Sequence, residues 1–135
     1  MVNVIHQTVT FKASPEELFS TYLDSKKHGA VIGDKVSVSR KVGAAFSAFD
    51  GSLRGRNLVI VPNRLIVQSW RAETWKKSDP DSLLILLFSK MGGGSQIELI
   101  HMDVPGHTYQ TIKNGWPKHY WKPWKVYLKR HVAKS

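Results

Sequence analysis

The residues best suited to chemistry in this sequence lie around His101. His101, Asp103 and His107 form the pattern H-x-D-x-x-x-H, whose imidazole and carboxylate groups are ligands that zinc accepts. Strand alternation would place His101 and Asp103 on one face, but His107 follows the turn Pro105-Gly106, so the spacing does not impose a common site. We therefore predict no metal and no cofactor. His101 is interpreted as a neutral core histidine with a hydrogen-bond partner.

An enzyme active site is not indicated by the other reactive residues. No serine or threonine lies in a nucleophile-elbow pattern, the chain has no cysteine, and no pair of carboxylates is brought to one site by its spacing. His101 and Glu98, the candidates for acid and base, should point to opposite faces of a strand. The sequence therefore predicts a non-catalytic protein.

Aromatic and basic residues alternate near the end of the chain, from Asn114 to His131. In a helix that begins near Trp116, an aromatic stripe recurs every four residues, and lysines recur on a different face. Pro123 lies inside this helix and should kink it near His119, because proline lacks the N–H that the helix needs. The stripe consists of Trp116, Tyr120, Trp124 and Leu128, and the lysine face of Lys118, Lys122, Lys125 and Lys129.

The positive charge of the chain indicates either an anionic partner for this lysine face or only a surface that favours solubility and nonspecific binding. Lysine and arginine number 20 against 10 aspartate and glutamate, the formal net charge is +10, and no acidic residue follows Asp103. Nucleic acid is not favoured, because an inward stripe leaves only Trp121 beside the lysines to stack on bases. An acidic protein surface fits better.

Length and composition indicate one domain, over residues 1–135. The longest apolar run, Leu83 to Phe88, is far shorter than the roughly 20 residues of a membrane-spanning helix. A chain without cysteine suits a reducing compartment, so we predict a cytoplasmic protein with no membrane span.

The periodicity of the chain predicts an α+β fold. Alternating β-branched residues from Val2 to Phe11 indicate a strand, a capping pattern at Ser14 begins one helix, and a second short helix lies near Gly29–Gly33. Six further β-rich runs, beginning with V-S-V-S-R at 36–40, are separated by turn residues. We expect a seven-stranded curved antiparallel sheet wrapped around the long C-terminal helix.

A helix that crosses a curved sheet leaves a cavity or fills it with its own side chains. Leu83, Ile85 and Leu87 would lie on the opposite, outer face, where apolar residues predict a contact such as a homodimer. The residues that alternation directs toward the helix are Phe46, Ile66, Gln68, Trp70, Leu84, Leu86, Phe88, Ile97, Leu99 and His101, which together with the aromatic stripe form the predicted cavity wall.

Three sequence motifs carry a resemblance to a known family. They are G-x-x-F-x-x-x-D-G-x-x-x-G at 43–55, L-V-I-V-P-N-R-L-I-V-Q-S-W-R at 58–71 and G-W-P-K-H-Y-W-K-P-W-K-V-Y-L at 115–128. With the predicted order of elements, the chain resembles the homologues of the activator of heat shock protein 90 ATPase over about 11–128. That family belongs to the START and birch-pollen-allergen-like superfamily of helix-grip folds.

The resemblance implies a hydrophobic cavity between sheet and helix, which the superfamily uses for lipids, polyketides or hormones. It implies that a similar domain forms the C-terminal half of a eukaryotic co-chaperone. We therefore expect a non-catalytic domain that holds an apolar or amphipathic small molecule. The alternatives are a stress-related, co-chaperone-like interaction module that uses the lysine face, and an enzyme of the cyclase or hydrolase type found in the same superfamily.

Overall fold

One antiparallel sheet of six strands forms the frame of the protein, in a computed structural model that describes residues 3–131. The strand order is β1-β6-β5-β4-β3-β2, so the first strand lies beside the last and every other neighbour is joined along the chain. The strands are β1 (Ile5–Phe11), β2 (Ala45–Ala48), β3 (Leu53–Val61), β4 (Leu65–Ala72), β5 (Ser82–Met91) and β6 (Gly94–Met102), and the helices are α1 (Pro15–Tyr22), α2 (Ser25–Ile32), α3 (Tyr109–Trp116) and α4 (Lys122–His131).

The two short helices are set by their capping residues. The Ser14 hydroxyl accepts a hydrogen bond from the Glu17 N–H at 3.1 Å, and Asp24 Oδ1 accepts one from the Lys27 N–H at 2.9 Å. Gly33 ends α2 with a φ of 72°, a left-handed conformation that glycine adopts without steric cost. These caps confirm the two helices after the first strand.

The sheet has six strands because the segment 36–40 does not form the predicted strand. Only Ser37 pairs with β2, through an isolated bridge. The Ser25 hydroxyl bonds both the N–H and the carbonyl of Val38, at 2.9 and 3.1 Å, and the Asn57 amide donates to two carbonyls just beyond. Side chains thus satisfy the polar backbone that a seventh strand would have paired.

The C-terminal helix begins at Tyr109 rather than near Trp116. Its middle, Pro117–Trp121, is a π-helical segment that joins α3 to α4 without a break, and it includes the residues at which a kink was predicted. A π turn adds one residue to the helical repeat, which shifts the faces of the helix. Trp121, expected beside the lysines, is therefore turned inward and is only 6% exposed.

Gln7 of β1 supports the π-helical segment. Pro117 has no N–H to donate to the carbonyl of Lys113, four residues earlier. The Gln7 amide nitrogen donates to this carbonyl at 2.9 Å, and the Trp121 indole N–H donates to the Gln7 amide oxygen at 2.8 Å. One side chain therefore compensates for the proline and fixes the inward tryptophan. Across residues 3–131, no helix has both the length and the apolar character needed to cross a membrane.

Candidate functional site

A groove of about 260 Å³ opens where α3 and the π-helical segment cross β3 and β4. Three of the predicted wall residues border it, namely Trp70, Trp116 and Tyr120. The ring centroids of Trp116 and Tyr120 are 4.8 Å apart, and those of Trp70 and Trp116 are 6.3 Å apart. Such an aromatic wall with a polar rim suits a flat amphipathic molecule. The remaining lining residues are Phe49, Leu53, Ala72, Ile112 and Gly115, with Ser52, Thr111 and His119 as polar members.

Most of the other predicted wall residues belong to a packed core. Phe46 and Leu128 are buried and border other depressions, described below. Aromatic rings fill the space beneath α4, where Trp124 lies 5.3 Å from Phe11 and 6.3 Å from Trp121 between ring centroids. The fully or almost fully buried members of the predicted wall are Ile66, Gln68, Leu84, Leu86, Phe88, Ile97, Leu99, His101 and Trp124.

His101 is a buried histidine with both ring nitrogens engaged. The Trp116 indole N–H donates to Nδ1 at 3.3 Å, which leaves Nε2 as the protonated nitrogen that donates to the Ser82 hydroxyl at 2.8 Å. Ser82 in turn donates to the Trp70 carbonyl at 2.9 Å. Burial lowers the pKa of His101 to about 3, so the ring is neutral. The structure therefore agrees with the interpretation of His101 as a satisfied core histidine.

His28 is a second buried histidine, which the sequence analysis missed. Its Nδ1–H donates to the Tyr22 carbonyl at 2.8 Å, and its Nε2 accepts from the Tyr120 hydroxyl at 2.8 Å. Burial lowers its pKa to about 4. The Tyr22 hydroxyl donates to Gln68 Oε1 at 2.9 Å, and the Gln68 amide donates to Asn57 Oδ1 at 2.9 Å. Gln68 is therefore a structural link in a buried polar network that joins the sheet through α1 to α2 and the C-terminal helix.

The three residues of the H-x-D-x-x-x-H pattern do not converge. His101 faces the core, whereas Asp103 is exposed in a turn with a φ of 60°. His107 Nε2 lies 2.7 Å from Asp79 Oδ2, a hydrogen bond that lowers the pKa of that carboxyl group. Within residues 3–131, no three histidine, cysteine or acidic side chains are grouped as metal ligands.

The lysine face lies on the exposed side of the C-terminal helix. All four side chains, Lys118, Lys122, Lys125 and Lys129, are exposed. Lys125 and Lys129 border the lysine groove, a depression of about 650 Å³ between α4, the end of β1 and the β5–β6 turn. The Lys125 ammonium lies 5.9 Å from the centroid of the Phe11 ring. The other lining residues are Thr10, Phe11, Lys12, Met91, Gly93, Gly94 and Leu128.

The outer face of the sheet is apolar along its middle. An antiparallel sheet that is solvated on one face ordinarily carries polar residues there. Leu83, Ile85 and Leu87 point to this face as predicted, and Leu87 is 36% exposed. The face therefore has the composition of a contact surface. One row of apolar residues in register crosses four strands, from Ile100 through Ile85 and Val67 to Val59.

The chain is similar to proteins named as activators of heat shock protein 90. It is 26% identical over 109 residues to an activator of 90 kDa heat shock protein ATPase homologue from Dictyostelium discoideum, covering 80% of this chain and 28% of that protein. It is 24% identical over 113 residues to homologue 1 from Homo sapiens, covering 84% of this chain and 33% of that protein. The chain thus spans about a third of the length of these relatives.

A solved structure matches along almost its whole length. It is described as an HSP90 activator from Plasmodium falciparum, is 27% identical, and superposes with a TM-score of 0.86 over 93% of this chain and 96% of that one. The family model for activator of Hsp90 ATPase homologue 1-like proteins matches residues 12–129. The chain therefore belongs to the family of activator of Hsp90 ATPase homologue 1-like proteins.

Proposed function

We propose that this protein is a cytoplasmic, non-catalytic regulator that binds an acidic surface of an Hsp90-type chaperone through its lysine face. The observation that carries the proposal is the match over 93% of this chain and 96% of a structure described as an HSP90 activator. The relatives are named as activators, and activation of a partner needs no catalytic group in the activator itself.

The interior of the protein supports a binding role over catalysis. Both buried histidines use both ring nitrogens within the fold, so neither offers a free base to a substrate. Aromatic side chains occupy the space between helix and sheet, which argues for an outer surface as the site of action. Against the cyclase or hydrolase alternative, within residues 3–131 no hydrogen bond joins Ser52, Thr111 and His119, the polar members of the aromatic groove, so none of them is paired as nucleophile and base.

The lysine face supplies the positive field that an acidic partner would recognise. No acidic residue follows Asp103, so no carboxylate within α4 offsets the positive charge of its exposed lysines. Exposed charges of this kind steer association and make it dependent on salt, because the Debye length is about 8 Å at physiological ionic strength.

The first test is the ATPase rate of an Hsp90-type chaperone from the same organism, measured with and without this protein. We expect stimulation and a measurable dissociation constant. The variant Lys122→Glu with Lys125→Glu should weaken binding about tenfold or more, since two charge reversals replace attraction by repulsion. Binding of the original protein should weaken steeply as salt is raised.

The matched control is Lys35→Glu with Lys77→Glu, which changes the net charge equally at exposed lysines outside α4. If both double variants lose binding to the same extent, the lysine face has no special role. If the chaperone neither binds the original protein nor changes its ATPase rate, the proposed function is wrong.

A second candidate function is the binding of an apolar or amphipathic small molecule in the aromatic groove. Its walls of Trp70, Trp116 and Tyr120 and its volume of about 260 Å³ suit a small planar ligand. Native mass spectrometry of protein purified from its own host would then show a bound compound that is lost on denaturation. A Trp116→Leu variant should lose this compound, whereas protein that is always empty contradicts this candidate.

A further inference from the structure

Three arginines lie together on the outer face of the sheet. They are found where β3 begins and β4 ends, beyond the apolar row. Arg54 and Arg56 are alternate residues of β3, and Arg71 of β4 is directly opposite Arg54 in the register. Directly opposite residues of an antiparallel pair have Cβ atoms about 5 Å apart, and like charges there are destabilising. An anion bound between the two guanidinium groups would offset this repulsion.

Arg71 is held in position by the protein itself. Its Nη1 donates to the Asp79 carbonyl at 2.7 Å and to Asp81 Oδ1 at 2.9 Å, and its Nη2 donates to the Lys76 carbonyl at 2.6 Å. These bonds use part of the five N–H donors of a guanidinium group and fix its plane. A ligand would therefore meet one arginine that is already oriented.

The other two arginines keep most of their donors available. Arg56 Nη1 donates to the Gly43 carbonyl at 3.1 Å, and among residues 3–131 the guanidinium of Arg54 makes no hydrogen bond. Both are exposed, and both line the same depression as Arg71. The sheet thus presents two uncommitted guanidinium groups beside a fixed one.

This arginine depression has a volume of about 460 Å³, which leaves room for a small anion and the group that carries it. Most of its lining residues other than the arginines have small side chains. The Ser69 hydroxyl accepts from the Arg56 backbone N–H at 2.9 Å, so its own proton is available to a ligand oxygen. The lining members other than the arginines are Ser37, Ala45, Phe46, Ser47, Gly55, Ser69 and Asp81.

We propose that the arginine depression is a binding site for a dianionic phosphate group. Three guanidinium groups against the single carboxylate of Asp81 leave two positive charges, which match the charge of a phosphate monoester near neutral pH. The planar fork of arginine bonds two phosphate oxygens at once, and the serine hydroxyl supplies a further donor. The phosphate group is either free or attached to a serine side chain of a partner, and both present the same oxygens.

The site is tested by amide NMR of the full chain, titrated with sodium phosphate and with a phosphoserine peptide at constant ionic strength. We expect saturable shifts centred on Ser47, Arg54 and Ser69, with no shifts from the unphosphorylated peptide. The double variant Arg54→Gln with Arg56→Gln should bind about tenfold more weakly or worse, because two charge-assisted hydrogen-bond donors are lost. Arg71 is left intact because its bonds also hold the segment before β5.

The matched control, Arg64→Gln with Arg130→Gln, removes the same charge from exposed positions outside the depression and should bind as the original protein does. The variant Arg54→Lys, which keeps the charge but not the fork, should show an intermediate loss, and it serves if the double variant fails to fold. Saturable shifts with either phosphate or the phosphopeptide support the site and identify the source. Shifts that follow the lysine face, or an equal loss in both double variants, would overturn it.

Discussion

Two buried neutral histidines make the stability of this protein sensitive to acid. Burial lowers the pKa of His28 to about 4 and that of His101 to about 3, whereas an unfolded histidine titrates near 6.5. The unfolded chain therefore binds more protons than the folded one between these values. The stability that these two histidines contribute should be constant above about pH 7 and should fall as the pH drops from about 6.5 toward 4, by up to about 1.4 kcal/mol per pH unit for each histidine.

Urea unfolding at a series of pH values between 7.5 and 4.5 measures this slope. The variant His28→Gln is expected to be less stable at neutral pH, because one amide group replaces only the ring nitrogen near Tyr120 and the Tyr22 carbonyl loses its donor. Its stability should depend less on pH than that of the original chain. The control His131→Gln changes an exposed histidine. Equal pH slopes for all three proteins would show that His28 is not held neutral by burial.

The sequence could predict the state of His101 but not that of His28. His101 lies in a strand whose alternation directs it inward, so its burial and its need for a partner can be read from its neighbours. His28 lies in a short helix with lysines before it, and its burial depends on the distant Tyr120 above it. The arginine depression was missed for the same reason, because the register that joins Arg54 to Arg71 is a tertiary property.

At the scale of elements, the π-helical segment depends on one side chain of β1. Gln7 bonds both the Lys113 carbonyl that Pro117 leaves free and the Trp121 indole N–H. The variant Gln7→Leu has nearly the same size but leaves both groups without a partner. We expect it to lower the free energy of unfolding by about 1–3 kcal/mol and to alter the near-ultraviolet circular dichroism of the tryptophans.

The control for this prediction is Gln96→Leu on the neighbouring strand β6. The chemical change is the same, and within residues 3–131 the Gln96 side chain makes no hydrogen bond. The free energy of unfolding of this variant should differ from that of the original protein by less than about 0.5 kcal/mol. If both glutamine variants are equally destabilised, the effect belongs to a change of polarity on a strand and not to the π-helical segment.

Local patterns predicted the elements well where one signal acted alone. The serine cap at Ser14 and the period of β5 correspond to observed elements, since capping and alternation depend on near neighbours. The segment 36–40 has the same alternation, but beyond the isolated bridge at Ser37 its backbone bonds to the side chains of Ser25 and Asn57. The predicted position of Trp121 on the lysine side of the helix was wrong. The π turn that directs this side chain inward is supported by contact with β1, which a local pattern does not reveal.

At the scale of the whole molecule, the lysine face and the apolar outer face lie on opposite sides of the sheet. Two copies packed through their outer faces would form a helix–sheet–sheet–helix arrangement. The two lysine faces would then be more than roughly 30 Å apart, well beyond the Debye length of about 8 Å, so their charges would oppose pairing only weakly. Both lysine faces would stay open to a partner.

The size of the outer face predicts a weak homodimer. Four strands and three rows of side chains cover roughly 20 Å by 20 Å, or about 800 Å² for two copies, which is below the roughly 1,200 Å² of stable specific interfaces and in the range of weak, transient ones. The centre of the face near Ile85 is apolar, and Oε2 of the nearby Glu98 lies 2.7 Å from His6 Nε2. The row from Ile100 to Val59 contains only apolar side chains and can therefore pack against its own copy about a two-fold axis. Sedimentation should therefore show a dimer that dissociates on dilution.

The absence of cysteine from the chain allows the geometry of this dimer to be tested directly. A single thiol at Ile85→Cys would lie close to its counterpart across the axis, so a short bifunctional thiol reagent should join the two copies efficiently. The control Val126→Cys places a thiol on α4, at a side chain that is 51% exposed but far from the axis, and should react without joining copies. Equal cross-linking of the two variants would indicate random collision, and a protein that stays monomeric at all concentrations would leave the apolar face to a different partner.

Ile85→Lys should abolish the dimer, while chaperone binding through the lysine face should persist at one site per monomer, because the two surfaces lie on opposite sides of the sheet.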